Sequence, residues 1–344
     1  MYSRIQKVLN KEDYSDVPIW LMRQAGRYME EYHIVKNKFP DFISMCKDPE
    51  AVTEITLQPL KRFDLDAAII FSDILILLDY LNFKVQFFPG KGPVIDNRNL
   101  EVKISNTINK FDKNILSPIY SAIKTVRKEL KQINKPLIGF AGSPWTIAAY
   151  LIEGQMSKDL FNARRFAKEN RVLTLKILDT LTYLITEHIC EQIVSGAELI
   201  QIFDTHSNSL DYQDHDLFSN QRINKIITQV KKRHKSVPIF LYSKSINMIG
   251  KDVVNILDGI SMSSHYNMES YIEKFPKHIC FQGNLDPMSL LVGGEVMENE
   301  VKKILKSMKN RKFIFNLGHG VLQQTPTKNV EKLIRIVREH SSKL

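Results

Sequence analysis

Cysteine is scarce in this chain of 344 residues, and its three thiols, Cys46, Cys190 and Cys280, form no Cys-x-x-Cys pair. Small secreted proteins that depend on disulfides carry many closely spaced cysteines, so that class is excluded. We expect the three thiols to be buried and reduced, which favours the cytoplasm as the location of the protein.

Long hydrophobic runs are also absent. A membrane-spanning helix needs roughly 18 or more consecutive apolar residues, and the nearest candidate, residues 67–78, is interrupted by Ser72 and Asp73. The basic residues near the N-terminus are not followed by the apolar segment of a secretory signal. The sequence therefore predicts neither a membrane span nor a secretory leader.

Aromatic side chains are missing from the basic runs, although the net charge is +10. This charge is compatible with nucleic acid, anionic lipid or an acidic small molecule as a partner. Because base-stacking sites interleave aromatic and basic residues, we interpret the runs at 124–131, 231–235 and 302–312 as solvated helix faces. A basic nucleic-acid-binding barrel is the disfavoured non-enzymatic alternative, and it predicts an affinity that falls steeply with salt.

Hydrophobic residues make up 43% of the chain and charged residues 25%, as in ordinary globular proteins. Eight short apolar runs recur, and most are separated by segments long enough for a helix. Continuous apolar strands with helical crossovers are typical of parallel sheets that are buried on both faces. We therefore predict an α/β fold, a (β/α)8 TIM barrel that forms a single domain over residues 1–344. The predicted strands are 18–22, 67–71, 137–140, 198–203, 238–242, 259–262, 279–282 and 313–316.

Two additions to the barrel are expected, a short helical lead-in over residues 1–17 and a hairpin extension over about residues 83–97. Within the hairpin, Gly90-Lys91-Gly92-Pro93 is interpreted as a turn. It lacks the Lys-Ser/Thr ending of a phosphate-binding loop, so we do not predict a nucleotide site there.

Polar residues follow each of the eight runs. In a barrel of this kind the carboxyl ends of the strands meet at one rim, where active sites lie. Helix capping explains several of these positions, and for Ser143, Asp204 and Asp286 taken singly we favour it. The full set is Arg23, Gln24, Ser72, Asp73, Gly142, Ser143, Asp204, Thr205, Ser243, Lys244, Ser263, His265, Asn284, Asp286 and His319.

Arg23 and Arg27 follow the first run, four positions apart. A guanidinium group presents a rigid fork of donors that matches a carboxylate, so two of them can hold a ligand that carries several carboxylates. Gly26 between them would let the backbone approach such a ligand closely. The alternative is that both are surface charges on the first turn of a helix.

Asp73 lies within the apolar stretch 69–76, where an unpaired carboxylate is costly. Either it caps a helix, or it accepts hydrogen bonds from the N–H groups of a ligand. Capping alone accounts less well for this position than for the other rim aspartates.

Five blocks of the sequence resemble the uroporphyrinogen decarboxylase family, whose members convert ring acetates to methyl groups. The blocks extend over nearly the whole chain, in the family's order. The resemblance implies one barrel domain, a homodimer with neighbouring clefts, a small polycarboxylate porphyrinogen as substrate, and neither cofactor nor metal. It implies no nucleic acid or membrane as a partner. The blocks are Trp20-Leu-Met-Arg-Gln-Ala-Gly-Arg-Tyr28, Leu65-Asp-Ala-Ala-Ile-Ile-Phe-Ser-Asp-Ile74, Gly139-Phe-Ala-Gly-Ser-Pro-Trp-Thr146 continuing to Tyr150 and Gly154, Gly283-Asn-Leu-Asp-Pro287, and Asn316-Leu-Gly-His-Gly320.

Site positions follow from the resemblance, residue by residue. The implied catalytic positions are Asp73, Arg23, Tyr150 and His319. The implied substrate-binding positions are these four together with Gln24, Ala25, Gly26, Arg27 and Thr205. Thr205 matches a family serine or threonine, although the continuation His206-Ser-Asn208 departs from the family's small residue and glycine.

Elementary chemistry gives Asp73 a role within this resemblance. Loss of CO2 from an acetate on a pyrrole needs an electron sink, and a protonated ring supplies one without a cofactor. We expect Asp73 to accept hydrogen bonds from pyrrole N–H groups and to stabilise the positive charge. The proton donor stays open, because arginine is a poor acid while Tyr150 and His319 either orient carboxylates or relay a proton.

Corrinoid-linked zinc methyltransferases share this barrel and are the alternative enzyme class. They hold zinc through a His-x-Cys pair and a distant cysteine. The chain contains His188-Ile-Cys190 and His278-Ile-Cys280, but no cysteine follows Cys280 and neither pair is expected at the rim. We interpret both pairs as core residues and disfavour a zinc site.

Overall fold

Seven parallel strands curve around a common axis in the computed structural model, which describes residues 3–10, 16–88, 92–107 and 111–341. The order of these strands in the sheet follows their order in the chain, and each pair is parallel. The predicted α/β barrel class is confirmed. In chain order the strands are β1 (Ala68–Ile69), β2 (Val85–Phe88), β3 (Gly92–Ile95), β4 (Leu137–Gly142), β5 (Leu199–Asp204), β6 (Ile239–Ser243), β7 (Gly259–Met262), β8 (Cys280–Leu285) and β9 (Phe313–Leu317); β2 and β3 form a separate pair.

Helices pack around the sheet and bury apolar side chains against it. Within the described ranges, every helix is too short or too polar to cross a bilayer. The helices are α1 (Arg4–Leu9), α2 (Glu30–Lys36), α3 (Phe42–Cys46), α4 (Pro49–Arg62), α5 (Ile76–Tyr80), α6 (Leu100–Ser105), α7 (Ser117–Gln132), α8 (Pro144–Glu153), α9 (Phe161–Glu169), α10 (Arg171–Ser195), α11 (Tyr212–His215), α12 (Gln221–Arg233), α13 (Lys251–Ile256), α14 (Pro287–Val292), α15 (Gly294–Met308) and α16 (Thr327–Ser341).

The run 18–22 completes the ring without forming a regular strand, which corrects the prediction of eight strands. Ile19 makes a single parallel bridge to Phe315 of β9. On its other side, the backbone N–H of Ile19 donates to the Asp66 carboxylate (2.7 Å), and the backbone N–H of Asp66 donates to the Ile19 carbonyl (2.8 Å). The Asp66 carboxylate thus accepts the hydrogen bond that a backbone carbonyl would accept in a regular parallel ladder.

β1 is also shorter than the predicted 67–71. The backbone N–H of Ile70 still donates to the Ile138 carbonyl (3.0 Å), but that of Phe71 donates to the Thr56 hydroxyl on α4 (3.0 Å). The chain therefore leaves the sheet at Phe71, immediately before the polar rim position Asp73.

The hairpin extension pairs β2 with β3 in antiparallel register. Gly92 and Pro93 lie opposite Phe88 and Phe87, so they begin a strand and do not form the turn that we predicted for residues 90–93. Gly90 and Lys91 of that motif lie outside the described residues.

Alternate strand residues point into the barrel and form a core of their own, separate from the larger core between sheet and helices. Ile5 and Val8 of α1 belong to this inner core, and Lys312 at the start of β9 donates to the Leu9 carbonyl (2.7 Å). Helix α1, within the predicted lead-in 1–17, therefore covers the amino-terminal end of the barrel, and the opposite rim is left open. Residues 1–2 and 11–15 of the lead-in lie outside the described residues.

Asp66 links the run 18–22 to the rest of the ring, and we expect its replacement to destabilise the fold strongly. Its carboxylate is 5% exposed and pairs with Arg4 (3.0 Å) and Arg338 (2.9 Å) in addition to the Ile19 N–H. Removing one partner of a buried charge network costs about 3–5 kcal/mol. We expect Asp66→Ala to lower the free energy of unfolding in urea by about 3 kcal/mol.

Asp64→Ala is the matched control for this stability measurement. Its carboxylate also pairs with Arg338 (3.1 Å) but is largely exposed, and exposed pairs contribute about 0–1 kcal/mol. Equal losses for the two variants would show that the Asp66 network does not hold the first segment in the ring.

Candidate active site

Five ionisable side chains lie near the guanidinium of Arg23 at the open rim. The positive charge of Arg23 acts on the pKa of Asp73, Tyr150, Tyr242, Lys244 and His319. Such coupling falls off with distance and with solvent screening, so these groups lie close together. The structure therefore brings the four predicted catalytic positions to one site, and it adds Lys244 to them.

Arg23 has left-handed backbone (φ 61°) and an exposed side chain, in the turn between the run 18–22 and α2. A residue in this conformation does not continue a helix. Arg27 lies in the irregular segment before α2 begins at Glu30. The alternative that both arginines are charges on the first turn of a helix is therefore wrong.

Gln24 is fully buried, and its polar groups are all used inside the protein. Its side chain accepts from the Leu21 N–H (3.1 Å) and donates to the Ala67 carbonyl (3.0 Å). Its backbone N–H donates to the Leu21 carbonyl (2.9 Å), and its carbonyl accepts from the Tyr28 hydroxyl (2.7 Å). The prediction that Gln24 contacts the substrate does not fit this geometry, and we assign it instead to holding the turn that carries Arg23.

Arg27 is exposed and faces the C-terminal segment that follows β9. With its amide oxygen turned towards the guanidinium, Gln323 accepts from both terminal nitrogens of Arg27 (2.8 and 3.1 Å). Among the described residues, the backbone N–H groups of Ala25, Gly26 and Arg27 donate to no carbonyl. Successive free N–H groups beside two guanidinium groups suit a carboxylate.

Gly320 leaves the space that the Arg23 side chain occupies. A Cβ atom at this position would lie 2.3 Å from Cδ and 2.6 Å from Cγ of Arg23, far inside van der Waals contact. Gly320, the last residue of the block Asn316-Leu-Gly-His-Gly320, thus leaves room for the side chain of Arg23, which belongs to the first block.

Gly320→Ala is expected to displace the Arg23 guanidinium while the barrel stays folded. A misplacement of about 1 Å can cost about 100-fold in rate, so we expect kcat/KM to fall by that order in a steady-state assay. Gly250→Ala is the control, because a Cβ there would lie no closer than 3.4 Å to Asn220. Normal turnover of Gly320→Ala would mean that the position of Arg23 is unimportant.

Asp73 caps a turn, as one interpretation of the sequence predicts, and keeps one carboxylate oxygen without a partner among the described residues. The second interpretation, that it accepts hydrogen bonds from a ligand, stays a prediction. The Asp73 Oδ1 accepts from the Leu75 N–H (2.8 Å), whereas its Oδ2 has no hydrogen-bond partner among the described residues. Burial raises the pKa of Asp73, and the Leu75 N–H and the Arg23 charge oppose this rise.

His319 follows β9 and Tyr150 lies on α8, and the pKa of each is influenced by the charge of Arg23. Burial, with the charges of Arg23 and Lys244, lowers the pKa of His319 to about 4, so its imidazole is neutral at pH 7. Burial and the Asp73 carboxylate raise the pKa of Tyr150, which keeps the phenol protonated. Both side chains can therefore donate a hydrogen bond to a carboxylate at neutral pH.

Aromatic side chains form the inner wall below these polar groups. Phe140 of β4 and Phe203 of β5 meet edge to face, with ring centroids 5.8 Å apart. Tyr242 of β6 follows at 6.1 Å from Phe203, and its ring lies edge-on to His319 at 6.2 Å. Such a wall excludes water from one face of a ligand and strengthens the electrostatic interactions on the other face.

Two of the three capping predictions are confirmed. Ser143 accepts from the Thr146 N–H at the start of α8, and Asp286 accepts from the Met288 N–H at the start of α14. Asp204 does not cap a helix, which corrects the third prediction. Its buried carboxylate accepts from the hydroxyls of Ser143, which caps α8, and of Ser219, which lies in the helical segment 216–220. These bonds tie the end of β5 to both segments.

Comparison with known proteins matches almost the entire chain to one enzyme family. The sequence profile described as Uroporphyrinogen decarboxylase (URO-D) matches residues 2–340. The uroporphyrinogen decarboxylase of Rickettsia felis is 36% identical over 347 residues, which cover 98% of each chain. That of Campylobacter jejuni is 38% identical over 330 residues, which cover 95% of this chain and 96% of its own. The chain belongs to the uroporphyrinogen decarboxylase family.

Membership of the uroporphyrinogen decarboxylase family identifies the chain as a carboxy-lyase of porphyrin biosynthesis whose substrate is a porphyrinogen. Among solved structures, a methyltransferase from Methanosarcina mazei superposes with a TM-score of 0.79 at 19% identity, covering 98% of this chain and 99% of its own. At this low identity the similarity is evidence for the fold alone. This neighbour therefore supports the assignment of a barrel fold and gives no information about the reaction.

His188, Cys190 and Cys280 of the two His-x-Cys pairs are buried, as predicted. His278 is exposed, which corrects the prediction for that residue. Cys190 is buried on α10, where His188 bonds the Tyr120 hydroxyl (2.9 Å), and Cys280 is buried at the start of β8. Within the described ranges, no three His, Cys, Asp or Glu side chains group as metal ligands. The uroporphyrinogen decarboxylase assignment is thus better supported than the zinc methyltransferase.

Thr205 is partly exposed at the end of β5, next to His206, whose ring lies edge-on to Tyr150 at 5.1 Å. His206 and Phe140 belong to the site but were missed as site residues, and Lys244 was noted only as a rim residue. The sequence could have indicated Lys244 as a site residue, because it directly follows β6 and the residues after the other strands lie at the same rim.

Proposed function

We propose that the chain converts the four acetate side chains of uroporphyrinogen III to methyl groups, giving coproporphyrinogen III, without a bound cofactor. The observation that carries this proposal is the geometry of Asp73, whose Oδ1 caps a turn while its Oδ2 has no partner among the described residues. A half-buried carboxylate of this kind beside Arg23 suits a ligand that presents N–H groups and carboxylates together.

The reaction needs two protons for each acetate, and it releases one again. Protonation of a ring carbon makes the pyrrole cationic, which supplies the electron sink. The bond between the methylene carbon and the carboxylate then breaks, CO2 leaves, and the bonding pair moves into the ring. A second proton on the methylene carbon gives the methyl group, and loss of the ring proton restores the neutral pyrrole.

Asp73 stabilises the cationic ring in this proposal. The pyrrole N–H groups donate to its free oxygen, and the charge on these groups grows as the ring is protonated. Because Asp73 is held in place by the Leu75 N–H, no reorganisation is needed when the positive charge develops, which is the condition for efficient electrostatic stabilisation.

The surrounding groups bind and orient the substrate's carboxylates. Arg23 and Arg27 supply guanidinium forks, and the free N–H groups of Ala25 and Gly26 supply further donors. Neutral His319 and the protonated Tyr150 phenol donate to other carboxylates, and Thr205 adds a hydroxyl at the end of β5. Arg23 orients the scissile carboxylate or a water molecule, because a guanidinium group is a poor acid.

The function is tested by anaerobic incubation of the purified chain with uroporphyrinogen III, followed by oxidation and chromatography of the porphyrins. We expect products with seven, six, five and finally four carboxylates. Unchanged uroporphyrin would refute the proposal. A parallel incubation in excess EDTA tests the zinc methyltransferase, and full activity in chelator would exclude a required zinc ion.

We also infer that the chain is one domain, works as a homodimer and resides in the cytoplasm. Its membership of the family supports the dimer, and three free, buried cysteines suit a reducing compartment. Sedimentation equilibrium of the purified chain tests the dimer, which predicts a mass near twice 39.9 kDa.

A further inference from the structure

A cavity of about 490 Å³ opens beside the site, between the segment that leads into α9 and the loop that follows β5. Its walls include His206 and Lys244, which also face the groups coupled to Arg23. The cavity therefore adjoins the proposed substrate site at His206 and Lys244. Other lining residues are Met156, Leu160, Arg164 and Asn208.

Lys244 brings a positive charge to this cavity without an acidic partner. It is partly buried, its pKa is lowered by burial and by Arg23, and none of the described carboxylates forms an ion pair with its ammonium group. A half-buried cation next to a second cation is unfavourable unless an anion binds between them or beside them.

His206 lines the same cavity, and its buried Nε2 has no hydrogen-bond partner among the described residues. Its backbone is fixed, because its N–H donates to the Thr146 hydroxyl (3.3 Å) and its carbonyl accepts from the Trp145 indole N–H (3.2 Å). Burial and the charge of Lys244 lower its pKa to about 4, so it is neutral at pH 7.

Two carboxylates, Asp159 and Asp211, also line the cavity. Asp211 is paired with Lys168 at 2.7 Å and accepts from the Asp214 N–H at 2.9 Å. The Asp211 carboxylate is therefore already paired within the protein. Asp159 and Arg164 are exposed to solvent, so Lys244 and His206 are the partly buried charged or unpaired groups that a ligand in the cavity can satisfy.

We propose that Lys244 and His206 bind one side-chain carboxylate of the porphyrinogen in this cavity, as a second carboxylate site beside the one formed by Arg23 and Arg27. The proposal rests on the proposed function, since it assigns these residues to the same substrate. The two sites together fix the orientation of the macrocycle over Asp73.

Lys244→Met tests the proposal, because it removes the charge and keeps the length of the side chain. A hydrogen bond to a charged group contributes about 1.5–3 kcal/mol, so we expect KM and the dissociation constant for uroporphyrinogen III to rise about 10- to 100-fold. The rate constant kcat should change less than about threefold. Lys244→Arg should restore most of the affinity, which a structural role of the lysine stem would not explain.

His206→Phe keeps the ring edge against Tyr150 and removes the unused nitrogen. We expect the dissociation constant to rise about 2- to 10-fold, as for loss of a neutral hydrogen bond. This variant also covers the case in which Lys244→Met fails to fold. Lys225→Met is the control for net charge, because Lys225 is an exposed residue of α12, and it should leave both constants unchanged.

Affinity is measured by anaerobic isothermal titration with uroporphyrinogen III, beside steady-state kinetics. Values for Lys244→Met within twofold of the wild type, or an equal effect of Lys225→Met, would overturn the second carboxylate site. The two proposals fail separately. A wild-type chain that binds uroporphyrinogen but releases no CO2 refutes the proposed function, and the affinity comparison between the Lys244 variants still decides the site.

Discussion

Asp73→Asn is expected to lower kcat for uroporphyrinogen decarboxylation by about 100- to 1000-fold, the usual cost of losing one electrostatic group that stabilises the transition state. An Asn oxygen can still accept from the Leu75 N–H, so the turn is kept. The neutral amide cannot stabilise a cationic ring as a carboxylate does. The measurement is single-turnover CO2 release under anaerobic conditions.

The same substitution should make the protein more stable at pH 7. Burial raises the folded-state pKa of Asp73, so folding disfavours its ionised form. Above both the folded and the unfolded pKa this penalty is complete, and below the ordinary aspartate pKa of about 3.9 it vanishes. Asp73→Asn should therefore exceed the wild type in Tm at pH 7, and the advantage should shrink as the pH falls towards 4.

Asp286→Asn is the control for both measurements, because Asp286 caps α14 at the same rim with its side chain exposed. Asparagine caps helices about as well as aspartate, so turnover and Tm should stay near wild-type values. A fully active Asp73→Asn enzyme would contradict the assigned role of the carboxylate. A large loss of Tm would instead indicate that the residue is structural.

Replacing Arg23 should give the second large effect, and two substitutions separate its geometry from its charge. Arg23→Lys keeps the charge but loses the two-pronged contact with a carboxylate. We expect kcat/KM to fall about 10- to 100-fold, since charge-assisted hydrogen bonds contribute about 1.5–3 kcal/mol, with the pH dependence of the rate unchanged.

Arg23→Met removes the charge as well and should also shift the pH profile. The Arg23 charge lowers the pKa of Asp73 and so opposes the effect of burial. Without it the pKa of Asp73 rises further, and because the ionised form is required, the acidic limb of the kcat/KM profile moves to higher pH. Identical pH profiles for Arg23→Met and Arg23→Lys would show that the two side chains are not coupled.

The sequence predicted the parts of the molecule that depend on local patterns. Seven of the eight predicted strands form, since runs of Ile, Val and Phe are buried on both faces of the sheet. The remaining run, 18–22, is also apolar, but the Asp66 carboxylate replaces part of its ladder of backbone hydrogen bonds. A hydrogen bond between residues 47 positions apart leaves no trace in the local pattern.

In the site, too, the sequence revealed the residues that belong to local motifs but not the contacts between distant residues. Motifs located Arg23, Asp73, Tyr150 and His319, and the structure brings them together. Neither pattern nor spacing could show that the Gln24 side chain forms its hydrogen bonds within the protein. Its partners, the Leu21 N–H and the Ala67 carbonyl, are brought to it only when the turn folds. The sequence placed Lys244 at the rim, but the absence, among the described residues, of an ion-pair partner for Lys244 and of a hydrogen-bond partner for the His206 Nε2 is visible only in the folded structure.

The central claim is that the Asp73 carboxylate accepts hydrogen bonds from the pyrrole N–H groups of a bound porphyrinogen. A crystal structure of the chain with coproporphyrinogen III, grown and frozen without oxygen, tests it most directly. The claim predicts pyrrole nitrogens within about 3.2 Å of an Asp73 carboxylate oxygen. A product macrocycle bound elsewhere, with the Asp73 oxygens facing water, would contradict it.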